Sequence, residues 1–410
     1  MNVIYERCCG MDVHKDKIVA CILTGRKKEI RSFSTMTSSL LELVDWLKDN
    51  QCQCIAMEAT GAYWKPIYNL LEVEEMPTLV VNAQHIKAVP GRKTDVKDSE
   101  WIADLLRHGL LKGSFIPNRE QRELKELIRY RRSITDERAR ELNRVQKVLE
   151  GANIKLGSVV SSIDCTSARK MLNELVAGND NIEAIADLAI FPLSNKRAQL
   201  KEALHGLMGE HQHLILKLML KHMDELEAQI SILDNEIKKR LQCSQKKVKW
   251  IDDIPGVGER SAQIIIAQIG TDMNVFPSAS HLASWAGMCP GNNESAGKRK
   301  SGKTRKGNNI LRTTLIECAK AAGRTKNSYL SSQYHRIATR RGKNRATVAV
   351  GHTILTIAYH ILKNNVPYKD LGADFFEQRR RNDIVRKSVK RLESLGLKVS
   401  VEDSSGDGVA

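Results

Sequence analysis

Short apolar runs separated by one helical stretch after another fill roughly the first 115 residues, and that alternation constrains the fold more than any other feature. Cys8 to Asp12 and Ile18 to Leu23 read as strands, with Ile30 to Phe33 a third, more polar one. Ser38 and Ser39 precede L-L-E-L-V-D-W-L-K, where Leu40, Leu41, Val44, Trp46 and Leu47 fall at helical spacing and the serines are placed to cap. C-I-A-M-E-A-T is the next strand, Tyr63 to Glu75 the next helix, and T-L-V-V-N after Pro77 a buried strand. Three strands followed by alternating helix and strand predict an α/β layer rather than a helical bundle.

Four acids stand out in this frame. Asp12 (G-M-D-V-H) and Glu58 (M-E-A-T-G) are single carboxylates inside otherwise apolar strand segments. A lone buried carboxylate is costly unless a cation or strong donor sits beside it, although either acid could simply leave the sheet at a strand end. Asp95 and Asp98 open an amphipathic segment carrying Trp101, Ile102, Leu105 and Leu106. Three-residue spacing stacks two carboxylates on one helix face, where they repel unless a cation lies between them. Acids in a first helical turn are also ordinary caps. Together the four form a credible cage for a divalent ion such as Mg²⁺, suited to phosphoryl transfer. Arg92 and Lys93 would face phosphate beside it.

The chain carries 65 Lys and Arg against 48 Asp and Glu, a net charge of +17, which calls for a polyanionic partner. No apolar run approaches the ~20 residues that cross a bilayer, so no membrane role is expected. The N-terminus lacks a signal-peptide pattern. Nine cysteines form no CxxC pair, which points to reduced thiols and a cytoplasmic protein without zinc or disulfides.

From Asn118 to about Gln245, glycine and proline are scarce and helical periodicity dominates. Leu124, Leu127, Ile128, Ile134, Leu142, Val145 and Leu149 give one long amphipathic helix. Leu216, Met219, Met223, Leu226, Ile230, Leu233 and Ile237 repeat three-four-three-four, the seam of a coiled coil, or else of an antiparallel pairing within the chain. A short helix is expected around Ala168 to Val176.

At Trp250 the pattern changes. I-P-G-V-G-E sets Gly256 and Gly258 before an apolar helix, like the phosphate-holding turn of a helix–hairpin–helix element, or a plain helix connection. From Lys298 to Arg312 there are seven Lys or Arg, and no acid falls between Ser295 and Ile316. Lys298, Arg299, Lys300, Lys303, Arg305 and Lys306, interleaved with Gly and Ser, read as a mobile basic loop that grips a nucleic-acid backbone. Ser295 and Ser301 lie there without a local His or Asp to activate them, which argues against an independent hydrolase triad. Beyond Phe376 a basic run and an acidic tail are expected to be poorly ordered.

The motifs G-M-D, M-E-A-T-G-A-Y, K-T-D-V-K-D-S-E-W-I-A, I-P-G-V-G-E, A-S-W-A-G-M-C-P and N-E-S together resemble the DEDD-type transposases of the insertion-sequence "one-ten" family, the bridge-RNA-guided recombinases. The resemblance covers about the first 115 residues and Trp250 to Tyr368. It implies a RuvC-like, ribonuclease-H-type domain at 1–117 with Asp12, Glu58, Asp95 and Asp98 as a Mg²⁺-binding tetrad. It further implies a helical coiled-coil region at 118–247, a mainly α transposase domain at 248–375 and a flexible tail at 376–410. By the same resemblance Ser295 is the nucleophile that joins covalently to DNA, with Ser301 in reserve because Ala296 stands where glycine is expected. Donor and target DNA, a structured bridge RNA, and a homo-oligomer (dimer or tetramer) formed through the coiled coil would be the partners. A junction nuclease using water, and a scaffold that binds nucleic acid without chemistry, are the alternatives.

Overall fold

The computed structural model describes residues 2–59, 61–82, 95–291, 293–295, 298–301, 303–304, 307–378 and 381–400; for residues 95–97, 293–295, 298–301, 377 and 382–384 it describes backbone alone. The chain divides into two compact units, Met1–Asn118 and Arg119–Ala410.

The first unit is built on a mixed five-stranded sheet in the order β3-β2-β1-β4-β5, with β1 Arg7–Val13, β2 Lys17–Thr24, β3 Lys27–Ser34, β4 Cys54–Glu58 and β5 Thr78–Val81. Strands β1, β4 and β5 run parallel, while β2 and β3 add antiparallel on the β1 side. Such a sheet is buried on both faces at its centre, which explains the nearly continuous apolar runs of β1, β2 and β4. Cys9, Met11, Ile55 and Met57 pack toward Leu43 and Leu47 of α1 (Thr37–Asp49) and Ile67 and Leu71 of α2 (Trp64–Val73). On the opposite face Cys8, Ala56 and Val81 meet Ile102, Ala103 and Leu106 of α3 (Asp95–Arg107). The third strand is a polar edge, exposed along most of its length, which is why its apolar signal was faint.

One capping expectation fails. Met36, with extended backbone and no side-chain cap, flanks the first residue of α1, and Ser38 and Ser39 lie inside the helix. Ser39 instead accepts a hydrogen bond from the Ser34 amide at 3.1 Å, tying the helix start to the end of β3.

The second unit is mainly helical. Its longest helices are α4 (Arg119–Gly151) and α7 (Glu210–Arg240), with α5 (Thr166–Val176) and α6 (Arg197–Leu204) between them. The heptad seam of α7 packs against α4 within the chain. Leu226, Ile230 and Leu233 cluster with Ile134 of α4, and Leu216, Leu220 and Met223 with Val145 and Leu149. Higher numbers on one helix meet lower numbers on the other, so the pair is antiparallel. Ion pairs repeat that order: Arg240 with Glu123 at 2.8 Å, Arg131 with Asp234 at 2.7 Å, and Arg138 with Glu227 at 2.8 Å. Each buried Leu or Ile in this seam contributes about 1.5–3 kcal/mol, more than the solvent-exposed Arg240–Glu123 pair beside it.

Helices α8 (Gln245–Asp252), α9 (Glu259–Ile269), α10 (Ala279–Trp285), α11 (Asn309–Ala322), α12 (Tyr329–Arg341) and α13 (Lys343–Asn364) follow. Ile265, Leu282, Leu311, Leu315, Val350, Ile354 and Leu355 are fully buried among them. Where a mobile basic loop was expected, β6 (Asn293–Ser295) and β7 (Lys298–Ser301) form an antiparallel hairpin. The tail is also more regular than its charge implies, since α14 spans Arg381–Glu393. No helix among the described residues is long and apolar enough to cross a membrane.

Candidate functional site

The carboxyl ends of parallel strands in an α/β sheet are where side chains escape the core, and Asp12 and Glu58 sit at two adjacent ends. Register pairs Met11 with Met57, so the next residues, Asp12 and Glu58, leave β1 and β4 side by side, about 4.8 Å apart in backbone. Alternation puts both on the face of Cys8, Gly10, Cys54 and Ala56, the face covered by α3. Asp12 is buried, 7% exposed, and Glu58 is half-buried. His14 Nε2 lies 3.0 Å from Asp12 Oδ2.

Helix α3 crosses this face at backbone contact. A Cβ on Gly10 would lie 2.4 Å from the Ser99 carbonyl oxygen and 2.3 Å from the Ala103 nitrogen, so only glycine admits the helix this close. Ser99 is fully buried there. Cys8 lies beside Ala103, its Sγ 3.5 Å from the Ala103 carbonyl oxygen. Moving from Cys8 to Gly10 along the strand therefore corresponds to moving from Ala103 toward Ser99 along the helix. One more pair of strand residues advances about 6.6 Å, and one more helical turn about 6 Å. Helix α3 begins at Asp95, one turn before Ser99, and includes half-buried Asp98. The contact fixes α3 against the strand that carries Asp12.

The donor set is all carboxylate oxygen, the hard ligand that Mg²⁺ and related divalent ions take, so the residues fit such an ion. Among the described residues no three His, Cys, Asp or Glu side chains close on a common metal position; the Asp95 side chain lies outside that description. Sequence reading passed over Gly10 and His14. A glycine inside an apolar strand was the available sign of close backbone approach.

In the second unit, Gly256 has φ +85°, and a Cβ there would lie 2.3 Å from the Ala322 nitrogen and 2.5 Å from the Cys318 carbonyl oxygen. This glycine is required by the approach of α11. Gly258 precedes the first residue of α9 with open space around its Cα, so of the two it has the more accessible backbone. In the hairpin, Ser295 pairs with Lys298 next to the turn, and Ser301 pairs with Asn293 at the other end. The Gly291 amide donates to the Lys303 carbonyl oxygen at 2.9 Å and Pro290 bridges Thr304, which anchors the hairpin base. Lys303 is exposed; the side chains of Ser295, Lys298, Arg299, Lys300 and Ser301 lie outside the described atoms, as do Arg92, Lys93, Arg305 and Lys306 altogether.

Fold and site define a class first: a ribonuclease-H-like sheet bearing acids, followed by a mainly helical part. Residues 9–154 match the DEDD family model described as "Transposase", and residues 248–335 match the one described as "Transposase IS116/IS110/IS902 family". The chain belongs to the IS110 family of transposases, enzymes that transpose and recombine DNA. It is 24% identical over 369 residues to the "Probable family 20 transposase" of Pseudomonas aeruginosa, covering 88% of this chain and 94% of that protein. It is 21% identical over 381 residues to a "Pilin gene-inverting protein" of Moraxella lacunata, covering 88% and 96%. A Sinorhizobium fredii transposase is 24% identical over 341 residues, covering 80% and 77%. Membership in a DEDD family implies a divalent metal and a DNA partner.

Proposed function

We propose that this transposase cuts and rejoins DNA through a covalent serine–DNA intermediate, with Asp12, Glu58, Asp95 and Asp98 holding Mg²⁺ and Ser295 as nucleophile. The observation that supports the reading is that Asp12 and Glu58 follow the paired Met11 and Met57 on neighbouring parallel strands, on the sheet face that α3 covers. A bound divalent ion would draw negative charge off the phosphate under attack. The Ser295 hydroxyl oxygen bonds to phosphorus, the bond from phosphorus to the leaving strand's oxygen breaks, and the hydroxyl's proton is exchanged for one delivered to that oxygen. Energy of the phosphodiester is kept in the serine ester, so a second strand's hydroxyl can reverse the step and rejoin. Arg92, Lys93, Gly258 and the basic hairpin hold backbone phosphates.

Sequence choice comes, in this reading, from a structured RNA paired to donor and target DNA, a partner that the charge of +17 accommodates. A homo-oligomer, dimer or tetramer, brings the serine of one copy to the carboxylates of another.

The test is adduct trapping on an element-end DNA in the presence of the RNA. Wild type gives a protein–DNA adduct mapped to Ser295 by peptide mass spectrometry, and Ser295→Ala gives none. An adduct that persists in Ser295→Ala moves the nucleophile to Ser301, and cutting without any adduct in wild type assigns water as nucleophile.

A further inference from the structure

Helix α7 carries a second stripe besides its buried seam. The seam, from Leu216 to Ile237, packs against the chain's own core. On the opposite side Leu214, Leu218, Lys221, Glu225, Ala228 and Ile232 are spaced four-three-four-three-four, and all six are exposed. With 3.6 residues per turn they stay within about 40° of one line down the helix. Leu214 and Leu218 are 59% exposed and Ile232 68%. Single exposed leucines are ordinary, whereas large aliphatic side chains kept in a heptad line mark a contact surface.

The order of the six residues says what the surface fits. Turned end for end about a two-fold axis beside Met223, the stripe sets Leu214 against the partner's Ile232, Leu218 against the partner's Ala228, and Lys221 against the partner's Glu225. Every position meets an apolar or an oppositely charged counterpart, and small Ala228 leaves room for the leucine. On the flanks Lys217 falls opposite the partner's Gln229 and His222 opposite the partner's Asp224, so no like charges meet over this span. A parallel pairing in register would set Lys221 against the partner's Lys221 and Glu225 against the partner's Glu225, which repel. Within one chain Lys221 Nζ and Glu225 Oε1 are 3.9 Å apart and exposed, a contact worth little that a better-placed partner displaces. We propose that this outer stripe joins two copies of the chain, as an antiparallel two-fold pairing of their α7 helices over about 27 Å. The proposed function needs copies to meet, and the inference rests on it for that purpose. The association itself is measured without DNA, RNA or chemistry.

The experiment is sedimentation equilibrium of the full chain across concentration. Wild type gives a monomer–dimer equilibrium that is largely dimer by tens of micromolar. Leu214→Glu with Leu218→Glu, both at exposed positions, weakens the dimer about 100-fold or more. Phe191→Ser, which removes a side chain 77% exposed elsewhere in the second unit, leaves it unchanged. Lys221→Glu and Glu225→Lys each weaken it about 10-fold, because each puts like charges across the axis. An equal mixture of those two single variants recovers wild-type association, since every charge then faces its opposite in the other copy. A wild type that stays monomeric at tens of micromolar, a dimer indifferent to the leucine changes, or one lost through Phe191→Ser instead overturns the proposal. Single charge swaps that associate like wild type overturn the antiparallel register. Stripe variants that lose the dimer while wild type forms no serine adduct keep the interface and remove the serine mechanism. A wild-type adduct beside a dimer untouched by these variants does the reverse.

Discussion

Both units bury charge, and they use it differently. In the second, Arg131 of α4 is 4% exposed and reaches Asp234 of α7 at 2.7 Å and Gln263 of α9 at 3.0 Å, so one guanidinium joins three helices. In the first, Asp12 is almost as buried but sits near the end of β1, with His14 Nε2 3.0 Å from its Oδ2 and Glu58 at the end of the neighbouring strand. Charge spanning several helices braces a core and needs no ligand, whereas in the proposed reading the strand-end acids are completed by a bound cation.

The largest expected effect sharpens that contrast. Asp12→Asn or Glu58→Gln lowers DNA cutting about a thousandfold or more while the thermal midpoint holds or rises, because repulsion is relieved. A matching loss of stability, followed by calorimetry, would place Asp12 with Arg131 as a structural brace. Arg131→Ala should do the reverse, costing about 1–3 kcal/mol in denaturant unfolding of the second unit by leaving the Gln263 side-chain oxygen without its donor, while Asp234 keeps its pair with Arg260. Little change there would remove the brace from the argument.

A smaller effect concerns Lys125 of α4, whose pKa burial pulls down to about 8, with its ammonium 5.8 Å from the Trp285 ring centre. A lysine with a depressed folded pKa destabilises wherever it is charged in both states, so the cost is complete below pH 8 and is relieved as pH rises toward 10.5. Lys125→Met should therefore raise stability by roughly 1–3 kcal/mol at pH 7, with the gain shrinking by pH 10. A gain independent of pH would assign the effect to packing. The smallest effect is on thiol labelling. Burial raises Cys8 and Cys52 to about 12 and Cys21 to about 11, so at pH 8 an alkylating reagent should modify exposed Cys243 and spare these three until the sheet unfolds.

What could be read beforehand follows from range. Strands β1, β2, β4 and β5 announce themselves because a sheet buried on both faces needs unbroken apolar runs, and Asp12 and Glu58 are conspicuous by interrupting them. Helix α4 and the α7 seam are equally plain from their periods. Which helix fills that seam is not, because heptad spacing is the same whether the partner is α4 or another copy. Ser38 and Ser39 have the chemistry of caps, but the pairing of β3 sets the helix start two residues earlier. The hairpin at β6 and β7 has neither alternation nor branched residues to signal strands, and its pairing is local to a run of cations. Gly10 against Ser99 depends on residues far apart in the chain, which no local pattern records.

The central claim is that scattered acids share a divalent ion at the end of the first sheet. Manganese titration followed by electron paramagnetic resonance reads this directly on the full chain, with no DNA present. The account expects saturable Mn²⁺ binding, displaced by Mg²⁺, that is lost in Asp12→Asn and in Glu58→Gln. Binding unchanged by both substitutions, in protein that remains folded, would contradict it.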